Sequence, residues 1–511
     1  MNIFDRVVTA VSPEAGLKRL GARKRIELLE NSGYSNYGAS HSKKSMKGWL
    51  YGGGSSKEDI EDNLPTLRQR SRDAYMGIPM ATGALKTYRT SVIGAGLSLK
   101  PKIDAEALNI TEEQAEQLEK QILREWNLWA DSTDCDAARL SNFYEQQQLA
   151  FLNWMMSGDV IALLPAWKRP GSVYDLRINL IEADRIFTPT EKTWDDKVVD
   201  GVEKNDRGEV VAYYIAKTHP LAQNGYQQEW DRVLAYGNRT GRRNVLHLMN
   251  RERIGQVRGV PLIAPVIEAL KQLGRYTEAE LVAAVISGYL TVFIEKESNT
   301  PESPLGEMIP EEQQIDREDP ATIEMAPGAI VDLNEGEKAN AVSPGRPNSN
   351  FDGFVSAISK QIGAALELPQ ELLMKMFNSN YSGSRGALLE AWKTFDMFRD
   401  WMVSGFCQPV YEEWMAEAVA KGRIRAPGFF SDPAIRKCYT NAEWYGPSRG
   451  QIDPKKEVEA AQLRVENGFS TATKEAMELT GTDYSDNMKQ RKKEVRMMQE
   501  VTGQTEGSKQ A

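Results

Sequence analysis

Residues 112–130, EEQAEQLEKQILREWNLWA, constrain the fold more than any other stretch of the chain. Ala115, Leu118, Ile122, Trp126 and Trp129 recur at spacings of three and four, so a helix places them on one face. Thr111 and Gln114 supply a capping box at its start. A face holding two tryptophans has to be covered by other parts of the chain. A second helix is predicted over about 142–157, with Phe143, Phe151, Trp154 and Met155 as core residues. Residues 159–250 then change character and read as β-rich. Val160 to Leu164 is a short apolar strand, and 176–181, 210–215 and 244–248 are predicted as others. Asn205-Asp206-Arg207-Gly208 is hairpin-turn chemistry between two of them.

Further helices follow the same logic. A helical pattern from Leu64 to Thr90 ends at Gly94-Ala95-Gly96, and residues 97–101 are extended. A long helix is predicted over 262–286, with Leu262, Val266, Leu270 and Leu273 as its apolar stripe. Ala279, Ala283 and Ala284 give it a slim side that allows close packing. Residues 296–325 are acidic and contain prolines, which predicts an exposed excursion, and 343–350 form a loop by composition. Phe351, Phe354, Ile358, Ile362 and Leu366 mark another helix, ended by Pro369. Residues 384–420 are helical, with Leu388, Trp392, Phe395, Phe398 and Met402 on one face. From Pro454 onward Asn467-Gly468, Gly481 and Asp486 divide the chain into short helices, and the last residues are expected to be disordered. Residues 32–58, rich in Gly, Ser, Tyr and Lys, read as a flexible arm. The fold class expected is α+β and helix-rich.

With 511 residues the chain is too long for one ordinary core, so two or more packed regions are expected. Its formal net charge is -9. Tight DNA binders usually carry a basic surplus, because phosphate contacts supply most of the affinity. The simple reading is therefore no tight grip on nucleic acid, although the same balance suits a wall that DNA slides past. Cys135, Cys407 and Cys438 are far apart and odd in number, which argues against a disulfide framework or zinc site and for a reducing compartment. The N-terminal residues lack a signal peptide's apolar stretch. The apolar run from Leu281 to Ile294 is too short to span a bilayer, so no membrane partner is expected.

Motifs for chemistry are missing. None of His41, His219 and His247 has a metal-ligand partner at helical spacing, and His247 alternates with Leu246 and Leu248 as a packed or edge strand residue would. Gly52-Gly53-Gly54-Ser55-Ser56-Lys57 shares only composition with a phosphate-binding loop and reads as linker, so any ATP-driven motor must be another polypeptide. No GxSxG elbow occurs, and Gly94-Ala95-Gly96 lacks the third glycine of a dinucleotide fingerprint. No catalysis, cofactor or metal is expected. Acidic residues are plentiful, which leaves a carboxylate-based hydrolase as an alternative, beside a ring-forming capsid or scaffold protein without DNA passage.

Several segments taken together point further. They are Arg72-Asp73-Ala74-Tyr75 with Ala81-Thr82-Gly83-Ala84 and Val92-Ile93-Gly94-Ala95-Gly96-Leu97; Trp126 to Trp129, Cys135-Asp136 and Ser157-Gly158-Asp159; Ile181-Glu182-Ala183-Asp184-Arg185, Gly201-Val202-Glu203, Asp206-Arg207-Gly208 and Ala212-Tyr213-Tyr214. Val245-Leu246-His247 and Gly255-Gln256-Val257-Arg258-Gly259-Val260-Pro261 come next, then Ala364-Ala365-Leu366-Glu367-Leu368-Pro369, Asn380-Tyr381-Ser382-Gly383-Ser384-Arg385 and Ala391-Trp392. Asp453-Pro454-Lys455-Lys456-Glu457 and Asn467-Gly468-Phe469-Ser470 complete the series. In this order, over about residues 70–495, the chain resembles the lambda-type family of tailed-bacteriophage portal proteins. It departs from the family's common Gly-Glu at Gly158-Asp159 and from Tyr-Ser-Ser-Ala-Arg at Gly383-Ser384.

The resemblance implies a portal fold of wing, stem, clip and crown that closes into a ring, usually of twelve subunits, at one capsid vertex. Such a ring nucleates head assembly, docks the terminase large subunit, passes double-stranded DNA and later holds the head-completion and connector proteins. Major capsid and scaffold proteins are further expected partners. The implied location is the virion, after assembly in the host cytoplasm. On this reading residues 1–60 are a flexible arm, 61–257 the wing, 258–287 the stem helix, 288–341 the clip and returning stem, and 342–350 a tunnel loop. Residues 351–400 are the wing's return, 401–495 the crown and 496–511 a disordered tail. Arg346, Asn348 and Asn350 in the tunnel loop are the candidates for touching DNA phosphates. Arg385 reads as a structural wing residue. Lys455, Lys456, Arg491, Lys492 and Lys493 read first as solvated helix faces and second as contacts to packaged DNA. Residues 262–286 leave two readings open, a helix inside one subunit's core or one lining a channel.

Overall fold

In the computed structural model Trp126 sits at the centre of an aromatic cluster drawn from distant parts of the chain. Its ring lies 5.1 Å from Trp129, Phe143 and Trp414, 5.6 Å from Tyr411 and 6.0 Å from Trp444, mostly edge to face. The structure describes residues 12–30, 44–46, 48, 52–223, 228–288, 292–296, 337–341, 350–377, 381–449 and 454–507. These fall in two units, residues 1–55 and 56–511. In the first, within the segment expected to be a flexible arm, Pro13–Glu30 is a helix.

The second unit begins with helices Leu64–Gly77 and Pro79–Val92, which the single pattern from 64 to 90 did not separate. Pro79 explains the break, since it holds no N–H to continue the ladder and fits the first turn of a new helix. Helices Glu112–Ala130 and Phe143–Ser157 both start in complete capping boxes, Thr111 with Gln114 and Asn142 with Glu145. The expected stripe is in place, with Ala115, Ile122, Trp126 and Trp129 buried.

Asp159–Leu163 is the central strand of a three-stranded antiparallel sheet, between Asn179–Glu182 and Val245–Met249. Ile161 is paired with both Ile181 and His247. Side chains alternate along a strand, so Val160 and Ala162 enter the large helical core while Ile161 enters a second, smaller core. That second core is closed by a four-stranded meander of Val198–Val199, Val202–Lys204, Val210–Ala216 and Trp230–Leu234. The turn at 205–208 closes as expected, with Gly208 N–H donating to the Asn205 carbonyl at 2.9 Å.

Tyr381–Met402 continues through a π-helical turn, Val403–Cys407, into Gln408–Ala420. Phe406, Val410, Tyr411, Trp414 and Met415 are fully buried in the large core. Strand Ala442–Tyr445 pairs with Ser98–Pro101, bringing Trp444 opposite Leu99. Residues 401–445, expected in the crown, thus complete the same core as residues 74–130. The helices outside that core are Pro454–Glu466, Ala472–Thr480 and Tyr484–Gly507, and the last extends into the segment expected to be a disordered tail.

Gly158 ends helix Phe143–Ser157 at φ +89° and lies directly against Gly259. A Cβ on Gly158 would stand 2.4 Å from the Gly259 carbonyl oxygen, and one on Gly259 would stand 1.9 Å from that of Gly158. Gly158→Ala should therefore cost about 2–4 kcal/mol, combining overpacking with left-handed strain. Gly208→Ala, at φ +82° with nothing within 4 Å of its Cβ, should cost only about 1 kcal/mol. Urea unfolding of the two variants side by side checks the contrast.

Candidate functional site

The segment from Asn250 to Leu262 is tied down almost atom by atom. Buried Gln256 accepts the N–H groups of Glu252 and Arg253 at 2.8 and 3.1 Å and donates to the Asn250 and Arg258 carbonyls. Leu262 N–H donates to the Met155 carbonyl at 2.9 Å. After the 3-10 turn Ala264–Val266 the helix Ile267–Gly288 begins, a few residues later than the sequence pattern suggested because Pro261 and Pro265 hold the first residues out of the α-helical ladder. Its first turns are in the core through Val266, Leu270 and Leu273. Its far end leaves the core: Leu281 is 67% exposed, Val282 51% and Val285 52%. Of the two readings left open by the sequence, the rooted half fits burial and the outer half does not.

Helix Phe351–Ala365 returns alongside. Phe351 stacks on Tyr276 at 5.7 Å and Phe354 meets the same ring edge-on at 4.7 Å. Asn350 stands exposed at the start of that helix, next to the Tyr276 contact. Arg346 and Asn348 lie outside the described residues. Strand Val292–Lys296 pairs antiparallel with Glu337–Ala341, so the chain leaving and the chain re-approaching meet at Ile294 and Ala339. The acidic excursion between them also lies outside the described residues.

The root of the projecting helix is a buried charge cluster. Arg258 is fully buried and places Nε 2.6 Å and Nη2 3.1 Å from the two Asp159 carboxylate oxygens. Its remaining N–H groups go to the carbonyls of Ile186, Ala183 and Asp200 and to the Asp200 carboxylate at 3.0 Å. Every donor of the guanidinium is used. Arg68 adds a contact to Asp159 at 3.3 Å and donates to the Ser157 carbonyl. Gly259 N–H and His247 Nε2 approach the same carboxylate at 3.1 and 3.2 Å. His247 Nδ1 lies 3.4 Å from the Tyr213 hydroxyl, so the tautomer protonated at Nε2 serves both neighbours. Nearby, Arg72 forms a two-pronged pair with Asp184. Three arginines face three aspartates, so the cluster is electrically balanced.

The members respond differently to this setting. Burial pushes the Asp159 carboxyl up, but the Arg258 and Arg68 guanidiniums and His247 outweigh it and hold it well below the usual carboxylate range. Burial also dominates at Asp200, and there Arg258 and Arg68 do not overcome it, so that carboxyl is raised. At Asp184 burial is overcome by the Arg72 hydrogen bonds, and the carboxyl is lowered. Burial and the like charge of Arg258 lower Arg68, whereas burial of Arg258 is outweighed by Asp159 and Asp200, which raise it.

Asp159, Asp184 and Arg258 all belong to the motif segments, but nothing in their spacing showed that they meet. Arg68 and Asp200 were missed altogether. Arg68 is one of several arginines in an amphipathic helix, and only its place on the buried side of that helix distinguishes it. No group of three or more potential metal ligands occurs among the described residues, and no described helix is long and apolar enough to cross a membrane.

The cluster and the projecting helix lie inside the region that matches a known family. Residues 42–399 match the family described as phage portal protein, lambda family. The chain belongs to the lambda family of phage portal proteins. Portal protein B of Escherichia phage lambda is 22% identical to it over 502 residues, covering 93% of this chain and 92% of that one. The portal protein of Escherichia phage N15 is 23% identical over 488 residues, covering 91% and 90%. Among solved structures, a chain of the virion of a native gene transfer agent particle has a TM-score of 0.43 at 13% identity, over 81% of this chain and 92% of that one. An HK97 family phage portal protein from Corynebacterium diphtheriae has a TM-score of 0.31 at 10% identity, over 70% and 92%. Portal proteins are structural components of the virion and not enzymes, which removes the hydrolase alternative.

Removing one partner of a fully buried ion pair leaves the other uncompensated, so Asp159→Asn should destabilise the protein by about 3–5 kcal/mol at neutral pH. Asp200→Asn should cost markedly less, because that carboxyl gains less from its partners than burial takes away. The signs follow from linkage. Asp159, lowered in the fold, adds stability that is present above about pH 3.9, the unfolded value, and is lost as pH falls through its folded value. Asp200, raised in the fold, acts in the opposite direction as pH rises through that range. Urea unfolding of wild type and both variants between about pH 3 and pH 7 should show the acid-side loss shrink in Asp159→Asn and persist in Asp200→Asn.

Proposed function

We propose that this chain is one subunit of a closed ring, of twelve copies, through which double-stranded DNA enters and leaves the capsid. Family membership supports the reading, and the observation that carries it is the outer half of helix Ile267–Gly288. A lone subunit leaves Leu281, Val282 and Val285 in water, although burying such side chains stabilises by roughly 1.5–3 kcal/mol each. Head-to-tail contacts related by rotation cover such a face on every copy and close without leaving an edge. The helix is then the stem, residues 258–287, with the clip and returning stem in 288–341 and the tunnel loop in 342–350. The wing takes 61–257, 351–400 and the core-forming stretch 401–445, and the crown begins at Pro454.

The ring is proposed to nucleate the head together with the major capsid and scaffold proteins in the host cytoplasm. It then docks the terminase large subunit and later the head-completion and connector proteins. Arg346, Asn348 and Asn350, repeated around the loop, make sequence-independent phosphate contacts. One cation per subunit in an acidic wall touches DNA without holding it.

Negative-stain imaging of the purified protein should show rings with a central opening wide enough for duplex DNA. A monomer with an enclosed pocket, a closed disc or a filament would sink the reading. Leu281→Asp combined with Val282→Asp should abolish the rings while leaving the melting temperature of the subunit nearly unchanged. Arg346→Glu should instead leave rings intact and lower the yield of DNA-filled heads; normal filling by that variant would remove the loop from the DNA path.

A further inference from the structure

We infer that the terminal helix Tyr484–Gly507 is a contact surface for duplex DNA, with Lys489, Lys492, Lys493 and Arg496 laid along the phosphate backbone. The inference rests on the reading above, in which duplex DNA passes through the ring, and names a second place where it is touched.

The base of the helix is fixed. Asp483 accepts the N–H groups of Ser485 and Asp486 at 2.8 and 3.3 Å, and its other oxygen lies 2.5 Å from Lys100 Nζ on strand Ser98–Pro101. Beyond that base every side chain from Tyr484 to Gln499 is exposed. Helices in globular proteins usually owe their stability to a packed face. Among the described residues no side chain from Tyr484 to Gln499 is buried, so the helix offers its faces to a partner.

Charge says what that partner is. Residues 489–496 hold Lys489, Arg491, Lys492, Lys493 and Arg496 against the single acid Glu494, in a chain whose net charge is -9. Positions 489, 492, 493 and 496 follow the i, i+3, i+4, i+7 spacing and share one face. Lys489 pairs locally with Asp486 at 3.2 Å, and Glu494 is engaged by Gln490 at 3.0 Å. Among the described residues no carboxylate forms a salt bridge with Arg491, Lys492, Lys493 or Arg496. A row of flexible cations spanning about 10 Å of helix, of which only Lys489 has a carboxylate partner among the described residues, suits a regular polyanion. Duplex DNA offers one charge per roughly 1.7 Å of its axis, and contact of this kind reads no sequence. Met488 and Val495 lie four and three positions from Lys492, so an apolar strip adjoins the basic one and a membrane surface is the competing partner; duplex DNA is preferred because the reading above already brings it into the ring.

The test is fluorescence anisotropy of a short mixed-sequence duplex titrated with the full-length ring, repeated at several salt concentrations. Changing Lys489, Lys492, Lys493 and Arg496 together to Gln should weaken binding at least about tenfold at low salt and flatten the slope of log affinity against log salt by about 3 or more. All four residues are exposed, and circular dichroism with negative-stain imaging verifies that the variant still folds into rings. A charge-preserving variant, Lys489→Arg, Lys492→Arg, Lys493→Arg and Arg496→Lys, should bind like wild type. Equal affinity and slope for wild type and the Gln variant would overturn the inference while leaving the ring reading intact. Wild type that floats with vesicles of anionic phospholipid but does not bind the duplex would overturn it in favour of a membrane surface. Failure of the ring reading shows separately, as wild-type protein without rings.

Discussion

Asp159 carries a full negative charge at a position where its side chain is 1% exposed. Moving a carboxylate from water into a protein interior costs several kcal/mol unless donors replace the lost solvent. Here the donors are Arg258, Arg68, His247 and the Gly259 N–H, and they come from a helix, a strand and the root of the projecting helix. Each must be in place for the others to be tolerated. The carboxylate therefore sets the relative position of these segments more sharply than apolar contact does, because hydrogen bonds lose strength steeply with angle and distance. Its own strand borders both hydrophobic cores, so an error at this residue would be felt in each.

The projecting helix inherits that rigidity. Three residues separate Arg258 from Leu262, and this short piece is held by the Gly158–Gly259 contact and by the Leu262 to Met155 hydrogen bond. A ring subunit that bears the load of moving DNA benefits from a helix whose inner end cannot tilt independently of the body. The outer end follows the opposite rule. It keeps apolar side chains in water, which suits a surface meant for neighbouring copies and not for the subunit's own core. The acidic balance of the whole chain is consistent with a passage that must not grip its cargo, and it makes the basic row on the terminal helix stand out.

Local signals were legible wherever the physics is local. The capping box at Thr111 and Gln114 put the start of Glu112–Ala130 at the right residue, because both hydrogen bonds lie within one turn. The same holds for the turn at 205–208. Long-range packing carries no such signal: in the stretch from 401, which the resemblance assigned to the crown, Trp414 is seated against Trp126, nearly three hundred positions earlier in the chain. The charge cluster was half visible. Gly158-Asp159, Asp184 and Arg258 stood among the motif residues, whereas Arg68 and Asp200 carried no mark, since ion pairs across about a hundred residues have no periodicity to read.

By itself the sequence determined the helix-rich α+β class, most helix positions, the lack of nucleotide and metal motifs, and the resemblance to the portal family. These follow from composition, from apolar spacing and from short-range hydrogen bonds, all of which act between near neighbours. Only the tertiary structure decided that residues 401–445 belong to the central core, that a buried Asp159 gathers two arginines and a histidine, and that the long helix is half rooted and half wet. Burial is a property of what surrounds a residue, and the surroundings of Asp159, Trp126 and Leu281 are supplied by parts of the chain that spacing along the sequence does not connect.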